Sequence, residues 1–414
     1  MESLGVGILG FGTVGSGVYE IFKSNSQIIE KRAGKRIEVK KILDVRDFSG
    51  HEAESLITNN FDDILNDPSI NVVAEMMGGV EPAFSYAKKA LEAGKSVVTS
   101  NKALVADRGA ELIKTAKDNN VNFMFEASCG GTIPIIRPLN TSLTADNIIK
   151  IEGILNGTTN YILTKMTAEG RSFAEVLKDA QKLGYAEADP TADVEGYDAC
   201  RKIAILSSIA FGGTVDYNDI LTEGITKITH EDIEYAFEMG CVIKLIASSE
   251  FKEGGVCAKV TPCVISRNHP LSSVNNAFNA IFVKGDMSGE TMYYGSGAGK
   301  LPTAAAVVGD IIDEVRNMGS FIPTSWDIDK KISVLSRDMA SIRGFVRVLI
   351  NNKVEAEKSI DHIFGKVAFI DAGFENEIGF VSGVETESTM SDKLSSLGQC
   401  SGVEKIINMI RMEE

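Results

Sequence analysis

The densest chemistry in this 414-residue sequence lies between Ala180 and Lys202, where Glu187, Asp189, Asp193 and Asp198 precede an apolar helical run. Asp198 and Lys202 are four residues apart, so they share one helix face within ion-pair reach. On a surface such a pair contributes roughly a few tenths of a kcal/mol and does nothing else. Four partly buried carboxylates, however, repel one another unless a cation joins them, and a substrate ammonium group would serve. A lysine desolvated beside them can pass a proton to and from an alkoxide. A second lysine, Lys102, follows Ser100-Asn101 directly after the apolar run Ser96–Thr99. That is the carboxyl edge where open α/β sheets bind ligands.

The run Gly10-Phe11-Gly12-Thr13-Val14-Gly15 follows the β-rich stretch Val6–Leu9 and opens a helical one. In that setting the glycines make a tight turn, admit a pyrophosphate and pack helix on strand, which predicts dinucleotide binding at a helix N-terminus. The next strand ends at Asp44-Val45-Arg46. Asp44 suits a ribose 2′-hydroxyl and NAD; Arg46 suits a 2′-phosphate and NADP. Lys40 and Lys41 nearby tilt the expectation to NADP, with NAD left open.

Val6–Leu9, Ile37–Leu43, Val72–Met76, Ser96–Thr99 and Asn122–Phe125 alternate with helical segments such as Pro82–Ala93 and Asp107–Lys117, the latter with Asp107 as N-cap. This alternation predicts a doubly wound parallel sheet over 1–135. Longer helices and fewer strands over 136–300 predict an α+β substrate and dimerisation domain, after which the helical stretch 301–320 returns to the nucleotide domain. From about Arg343 the order is βαββαβ, a small split-βαβ domain over 340–414. Trp326, the single tryptophan, is expected to pack between domains.

Composition narrows the partners. With 42 Lys+Arg against 57 Asp+Glu the net charge is −15, which opposes nucleic-acid binding. The longest apolar stretches, such as Ile203 to Phe211, are short of the ~20 residues of a membrane span. Glu2 stands where a secretory leader would be basic. Six cysteines without a CxxC pair, and four histidines without metal-ligand spacing, predict reduced thiols, a cytoplasmic location and no zinc.

The Ala180–Lys202 run, written A-x3-G-Y-A-x2-DP-x2-DV-x-G-x-D-x3-K, resembles the signature of homoserine dehydrogenases. The glycine loop, Ser100-Asn101-Lys102, Glu75 to Gly79, Glu126 to Gly131, Leu155 to Tyr161 and Gly295 to Thr303 support the resemblance over about residues 4 to 320. It implies reversible NAD(P)-linked oxidation of L-homoserine to L-aspartate 4-semialdehyde, in threonine, methionine and isoleucine biosynthesis. It further implies that Lys202 and Lys102 are the active-site lysines, Lys202 the proton shuttle, with Asp198 orienting it. Glu187 and Asp193 would hold the substrate ammonium, with Gly157 and Thr158 lining the pocket. Gly10 to Gly15, Arg46, Ser100 and Lys102 would meet the cofactor. Backbone carbonyls of Glu126, Cys129, Gly131 and Ile133 would hold a monovalent cation, Na+ or K+. A homodimer or homotetramer is expected.

The C-terminal segment resembles an ACT domain, but its first turn reads Ile350-Asn351-Asn352-Lys353-Val354-Glu355, without the usual Pro and Gly. Effector binding, for example of threonine, and a role in dimer surface alone both stay open. Two other functions are compatible with parts of the sequence: an aldehyde dehydrogenase with Cys129 as nucleophile, and a non-catalytic nucleotide sensor.

Overall fold

The computed structural model describes residues 3–336, 338 and 340–413; Glu2 lies outside them. The chain divides into two compact units: Met1–Ile149, Ala204–Tyr217 and Val283–Ile332 form the first, and Lys150–Ile203, Asn218–Phe282 and Ser333–Glu414 the second.

The first unit opens with β1 (Leu4–Leu9), α1 (Thr13–Ser24), α2 (Ser26–Ala33), β2 (Ile37–Leu43), β3 (Ile57–Thr58), α3 (Asp62–Leu65), β4 (Ile70–Glu75), α4 (Ala83–Glu92), β5 (Ser96–Thr99), α5 (Lys102–Asp118) and β6 (Phe123–Met124). The strands pair in parallel in the order β3-β2-β1-β4-β5-β6, the doubly wound sheet that the alternation predicts. β1 is buried throughout, as a parallel strand with both faces covered must be. Val6, Ile8, Val72, Ala74 and Val98 share one core with Val307, Ile311 and Val315 of the helix Lys300–Arg316. Gly17 lets that helix approach, since a Cβ there would come within 2.9 Å of the Lys300 carbonyl.

One helix start differs from expectation. α5 begins at Lys102, and its N-cap is Asn101, whose side chain accepts the Leu104 N–H at 3.1 Å. Asp107 therefore lies inside the helix. The side-chain cap one residue after β5 ends the strand and starts the helix at once, which puts Lys102 in the first turn. The Trp326 ring packs on Gly109 and edge-on to Phe125, and its indole N–H donates to Thr214 at 2.9 Å, so inside the first unit it bridges residues of the 1–135 and 136–300 segments.

The chain continues through β7 (Ile148–Ile154), α6 (Gly157–Glu169), α7 (Phe173–Lys182), α8 (Thr191–Val194), α9 (Tyr197–Ala210), β8 (Leu221–Thr222), α10 (His230–Glu238), β9 (Cys241–Lys252), β10 (Gly255–Ser266), β11 (Phe278–Gly285), β12 (Gly289–Ser296) and α11 (Lys300–Arg316). It ends with β13 (Ser341–Ile350), α12 (Lys353–Phe364), β14 (Ala368–Ile370), β15 (Glu377–Val381), β16 (Glu385–Thr386), α13 (Glu387–Leu397) and β17 (Val403–Glu413). In the second unit β11, β7, β9, β10, β17, β13, β15 and β14 are neighbours in that order. The last four are antiparallel and close the βαββαβ module around Val346, Val348, Ile360, Phe380, Met390 and Leu397. β17 also pairs in parallel with β10, Cys263 opposite Arg411, so the module continues the larger sheet. Its β13–α12 turn folds against its own chain: the Asn351 N–H donates to the Gly402 carbonyl at 3.1 Å, and a Cβ on Gly402 would stand 2.4 Å from the Ala356 nitrogen.

No helix among the described residues is long and apolar enough to cross a membrane.

Candidate active site

The glycine loop leaves β1 with Gly10 at φ 88° against the end of β4, where a Cβ would lie 2.9 Å from the Met76 carbonyl. Gly15 sits under the turn, and a Cβ there would meet the Gly10 carbonyl at 2.0 Å. Gly12 is different. A Cβ on it would have Arg46 Nη2, at 4.0 Å, as its nearest neighbour, and its φ of −75° suits any residue. The fold does not require glycine at position 12, so the open space above it fits a ligand's close approach. Gly12 is also the N-cap of α1, and the unsatisfied N–H groups of that first turn favour a phosphate. Phe11 is buried beneath the loop, edge-on to Tyr19, Phe48 and His51.

At the ribose end, Asp44 Oδ2 accepts the Phe11 N–H at 2.7 Å, and its carboxylate takes Arg46 Nε and Nη2 at 2.9 and 2.7 Å. Those bonds, first from the Arg46 side chain and then from backbone N–H groups against the cost of burial, hold the Asp44 carboxyl well below the usual range. Arg46 is exposed and lies over the Phe48 ring. Lys40 binds Glu38 on its own strand at 2.5 Å, whereas Arg46 pairs directly with Asp44.

Glu75, at the carboxyl end of β4, accepts the Thr99 hydroxyl at 2.6 Å and the Met77 N–H at 2.7 Å. Burial pushes its carboxyl up. Thr99 accepts the Asn101 N–H, and the Asn101 amide donates to the Gly79 carbonyl at 2.6 Å. This network ties the ends of β4 and β5 together and fixes the point at which Ser100 and Lys102 emerge.

After β6, the Glu126 carboxylate accepts three backbone N–H groups, Ile135 at 2.6, Ile136 at 2.8 and Arg137 at 2.7 Å. Its own N–H donates to Asp310, which also binds Arg137 at 2.7 Å. Burial, and next the Glu126 charge, push the Asp310 carboxyl up, with Arg137 opposing. The Glu126 side chain is thus engaged, and a cation at this turn would be held by carbonyls. Gly130 and Gly131, at φ 72° and 59°, redirect successive carbonyls, and Gly131 packs so tightly that a Cβ would come 2.5 Å from Gly297. Carbonyl oxygens on such a turn fit a hard monovalent ion. Cys129 is fully buried here, which is unsuited to attack on an aldehyde entering from solvent.

In the second unit α6 and α9 meet at one polar cluster. Lys202 Nζ donates to Asp198 Oδ2 at 2.7 Å and to the Leu155 carbonyl at 2.8 Å, and both side chains are buried. The Asn156 amide donates to Asp193 Oδ1 at 2.7 Å and to Asp198 Oδ2 at 2.9 Å. Its oxygen caps α6, accepting the Thr159 N–H at 2.9 Å. Gly157 and Thr158 form the first turn of α6; Gly157 is there because a Cβ would meet the Ala277 carbonyl at 2.8 Å, and Thr158 donates to the Tyr185 carbonyl at 2.6 Å. Of the four carboxylates, Asp193 and Asp198 share the cluster. Asp189 caps the Thr191 N–H and hydroxyl, at 3.1 and 2.6 Å, and Glu187 stands exposed on the loop. Asn156, the residue that joins the two clustered carboxylates, was not singled out from the sequence. Its place one residue before a helical run, as an Asn N-cap, was the available signal.

Over its whole length the chain is 39% identical to the homoserine dehydrogenase of Bacillus subtilis strain 168, covering 99% of that protein. The chain belongs to the homoserine dehydrogenase family. The family's own models divide along it, "Homoserine dehydrogenase, NAD binding domain" over residues 10–126 and "Homoserine dehydrogenase" over 134–312. A crystal structure of a homoserine dehydrogenase from Thiobacillus denitrificans matches the full chain with a TM-score of 0.92 at 36% identity, covering 99% of that protein. A hyperthermophilic archaeal homoserine dehydrogenase in complex with NADPH matches 75% of the chain, and 97% of its own, with a TM-score of 0.64 at 29% identity. Membership carries homoserine dehydrogenase activity, an NAD(P)-dependent oxidoreductase reaction of amino-acid biosynthesis, with homoserine and aspartate semialdehyde as substrates. A Cys129-dependent aldehyde dehydrogenase and a non-catalytic sensor are set aside with it. The α/β fold with its six-stranded parallel sheet is the fold of a homoserine dehydrogenase.

Proposed function

We propose that this homoserine dehydrogenase moves the substrate proton through Lys202. The observation that carries this is the buried Lys202 ammonium held between Asp198 and the Leu155 carbonyl, beside an Asn156 amide that binds the same Asp198 oxygen. A nicotinamide, when bound, supplies the two-electron chemistry by taking the hydride from homoserine's alcohol carbon. In the oxidation direction Lys202 acts as the neutral amine and takes the hydroxyl proton as the carbonyl forms; the resulting ammonium, the form that Asp198 and the Leu155 carbonyl hold, returns the proton when aspartate semialdehyde is reduced. Asp198 orients the lysine, and Lys102 is the second active-site lysine. Asp193 and Glu187 receive the substrate ammonium, and the first-turn N–H groups of Gly157 and Thr158 suit its carboxylate.

NADP is the preferred cofactor. Arg46 is an exposed cation beside Asp44 with which a 2′-phosphate would pair, and the archaeal relative's NADPH complex supports the same choice. Gly10 to Gly15, Ser100 and Lys102 complete the contacts. The carbonyls of Glu126, Cys129, Gly131 and Ile133 would hold Na+ or K+, whose role is to stiffen the turn. The enzyme works as a homodimer or homotetramer in the cytoplasm, and residues 340–414 form an ACT-like module. Since its β13–α12 turn is closed on Gly402, we assign that module to structure and assembly and not to threonine binding. Steady-state oxidation of homoserine with NADP and NAD in parallel, with and without potassium and threonine, tests cofactor, cation and effector together. Equal kcat/KM for the two cofactors would contradict the part given to Arg46.

A further inference from the structure

The C-terminal module reaches toward the amino-acid end of the substrate cluster through one buried arginine. Arg411, on β17, forks onto Glu223 with Nη1 and Nη2 at 2.7 and 3.1 Å, and onto Glu387 of α13 with Nε and Nη2 at 2.5 and 3.1 Å. Its side chain is 5% exposed; burial disfavours its charge, and the bonds to Glu387 and Glu223 outweigh that and raise an already strong base further.

Glu223 opens a short stretch that presses on α8. The Ile225 N–H donates to the Val194 carbonyl at 2.8 Å, and the Thr226 hydroxyl to Glu195 at 3.1 Å. Gly224 lies so close that a Cβ would come 2.3 Å from the Val194 carbonyl, and Gly196 in turn has Thr222 at 3.2 Å. α8 is one turn long and carries Asp193, which binds Asn156 at 2.7 Å. A four-residue helix cannot hold its own geometry, so its position is set by what packs on it. The far end of the same stretch is fixed by the module as well, since Arg347 donates to Thr229 and Asp232, each at 2.7 Å.

We propose that Arg411 is a positioning residue for homoserine: by clamping Glu223 it seats residues 222–226 against α8 and so places Asp193 for the substrate ammonium. The proposal rests on the reading of Asp193 as an ammonium ligand. It makes the C-terminal module a support of the substrate site, independent of any effector. Loss of the clamp loosens Asp193 and leaves the proton-transfer pair Lys202 and Asp198 and the nucleotide loop in place, so substrate affinity falls and turnover at saturation largely survives.

The test uses the full-length enzyme. Arg411→Gln and Glu223→Gln each raise the homoserine KM by roughly fivefold or more, change kcat by less than about twofold, and leave NADPH affinity unaltered. The double variant is no worse than the worse single one, because both break one link. Glu223 is half-exposed, so Glu223→Gln decides the matter where Arg411→Gln fails to fold. A homoserine KM within about twofold of wild type in both variants, with only a lower Tm, overturns the proposal. Asp193→Asn separates the two layers. An unchanged KM in that variant overturns the reading of Asp193, whereas a raised KM there with an unchanged KM in Glu223→Gln overturns the role of Arg411 alone.

Discussion

Asn156 donates to the same Asp198 oxygen, Oδ2, that accepts the Lys202 ammonium, at 2.9 Å. One carboxylate oxygen is thereby shared by a neutral donor and a charged one, and the neutral donor also reaches Asp193. The amide keeps two neighbouring carboxylates from repelling each other without adding a charge that would compete with the substrate's own.

This arrangement predicts a separable effect for Asn156→Ser. A serine hydroxyl can still cap α6 at the Thr159 N–H, whereas it is too short to bridge Asp193 and Asp198. Hydrogen bonds to charged groups contribute about 1.5–3 kcal/mol each to stability, so Tm should fall, and kcat/KM for homoserine should fall by roughly tenfold or more as Asp193 and Asp198 lose their shared partner. Asn156→Ala should add about 1 kcal/mol of lost capping. Steady-state kinetics and thermal unfolding of the two variants together check this. Equal kcat/KM in wild type and Asn156→Ser would remove Asn156 from the site.

The glycine loop offers a paired test. Gly15→Ala drives a Cβ into the Gly10 carbonyl, at 2.0 Å, and should lower Tm and impair folding. Gly12→Ala meets nothing nearer than Arg46 at 4.0 Å, so its Tm should match wild type while NADPH affinity falls by roughly tenfold or more. Calorimetric NADPH titration of Gly12→Ala decides it, and undiminished affinity would mean that the dinucleotide does not approach there.

Burial lowers the Lys244 ammonium from 10.5 to about 8, although it donates to Asn160, to the Val274 carbonyl and to Asn275 at 3.2, 2.6 and 3.0 Å. Between pH 8 and 10.5 the unfolded chain holds this proton and the folded chain releases it. The unfolded state then binds more protons, so the contribution to stability rises with pH across that window, and below about pH 8 the cost of the buried charge is carried in full. Wild type should gain on the order of 3 kcal/mol relative to Lys244→Met over the window. Urea unfolding of both proteins at its two ends measures the difference, and parallel pH dependences would show that Lys244 stays charged throughout.

What could be read from the sequence was local. The Gly10–Gly15 loop follows a strand and opens a helix, and Asp198 and Lys202 are one helical turn apart, so their meeting needed no knowledge of the fold. The helix start at Lys102 was misread because Asn101 and Asp107 are both acceptable caps and only β5, ending at Thr99, selects between them. Asp189 looks like Asp193 in sequence; what separates them is a hydroxyl two residues on at Thr191 in one case and the Asn156 amide 37 residues back in the other. The βαββαβ order was legible from periodicity, but the parallel pairing of β17 with β10 joins residues nearly 150 apart, and no short window carries that. Arg411 and Glu223 were invisible for the same reason.

The most direct test of proton transfer by Lys202 is amine rescue of Lys202→Ala, assayed at saturating homoserine and NADP. The variant should lose turnover by about a hundredfold or more with NADPH affinity retained, and added methylamine should restore turnover in proportion to its concentration. Near-normal turnover of Lys202→Ala in the absence of any amine would contradict the account.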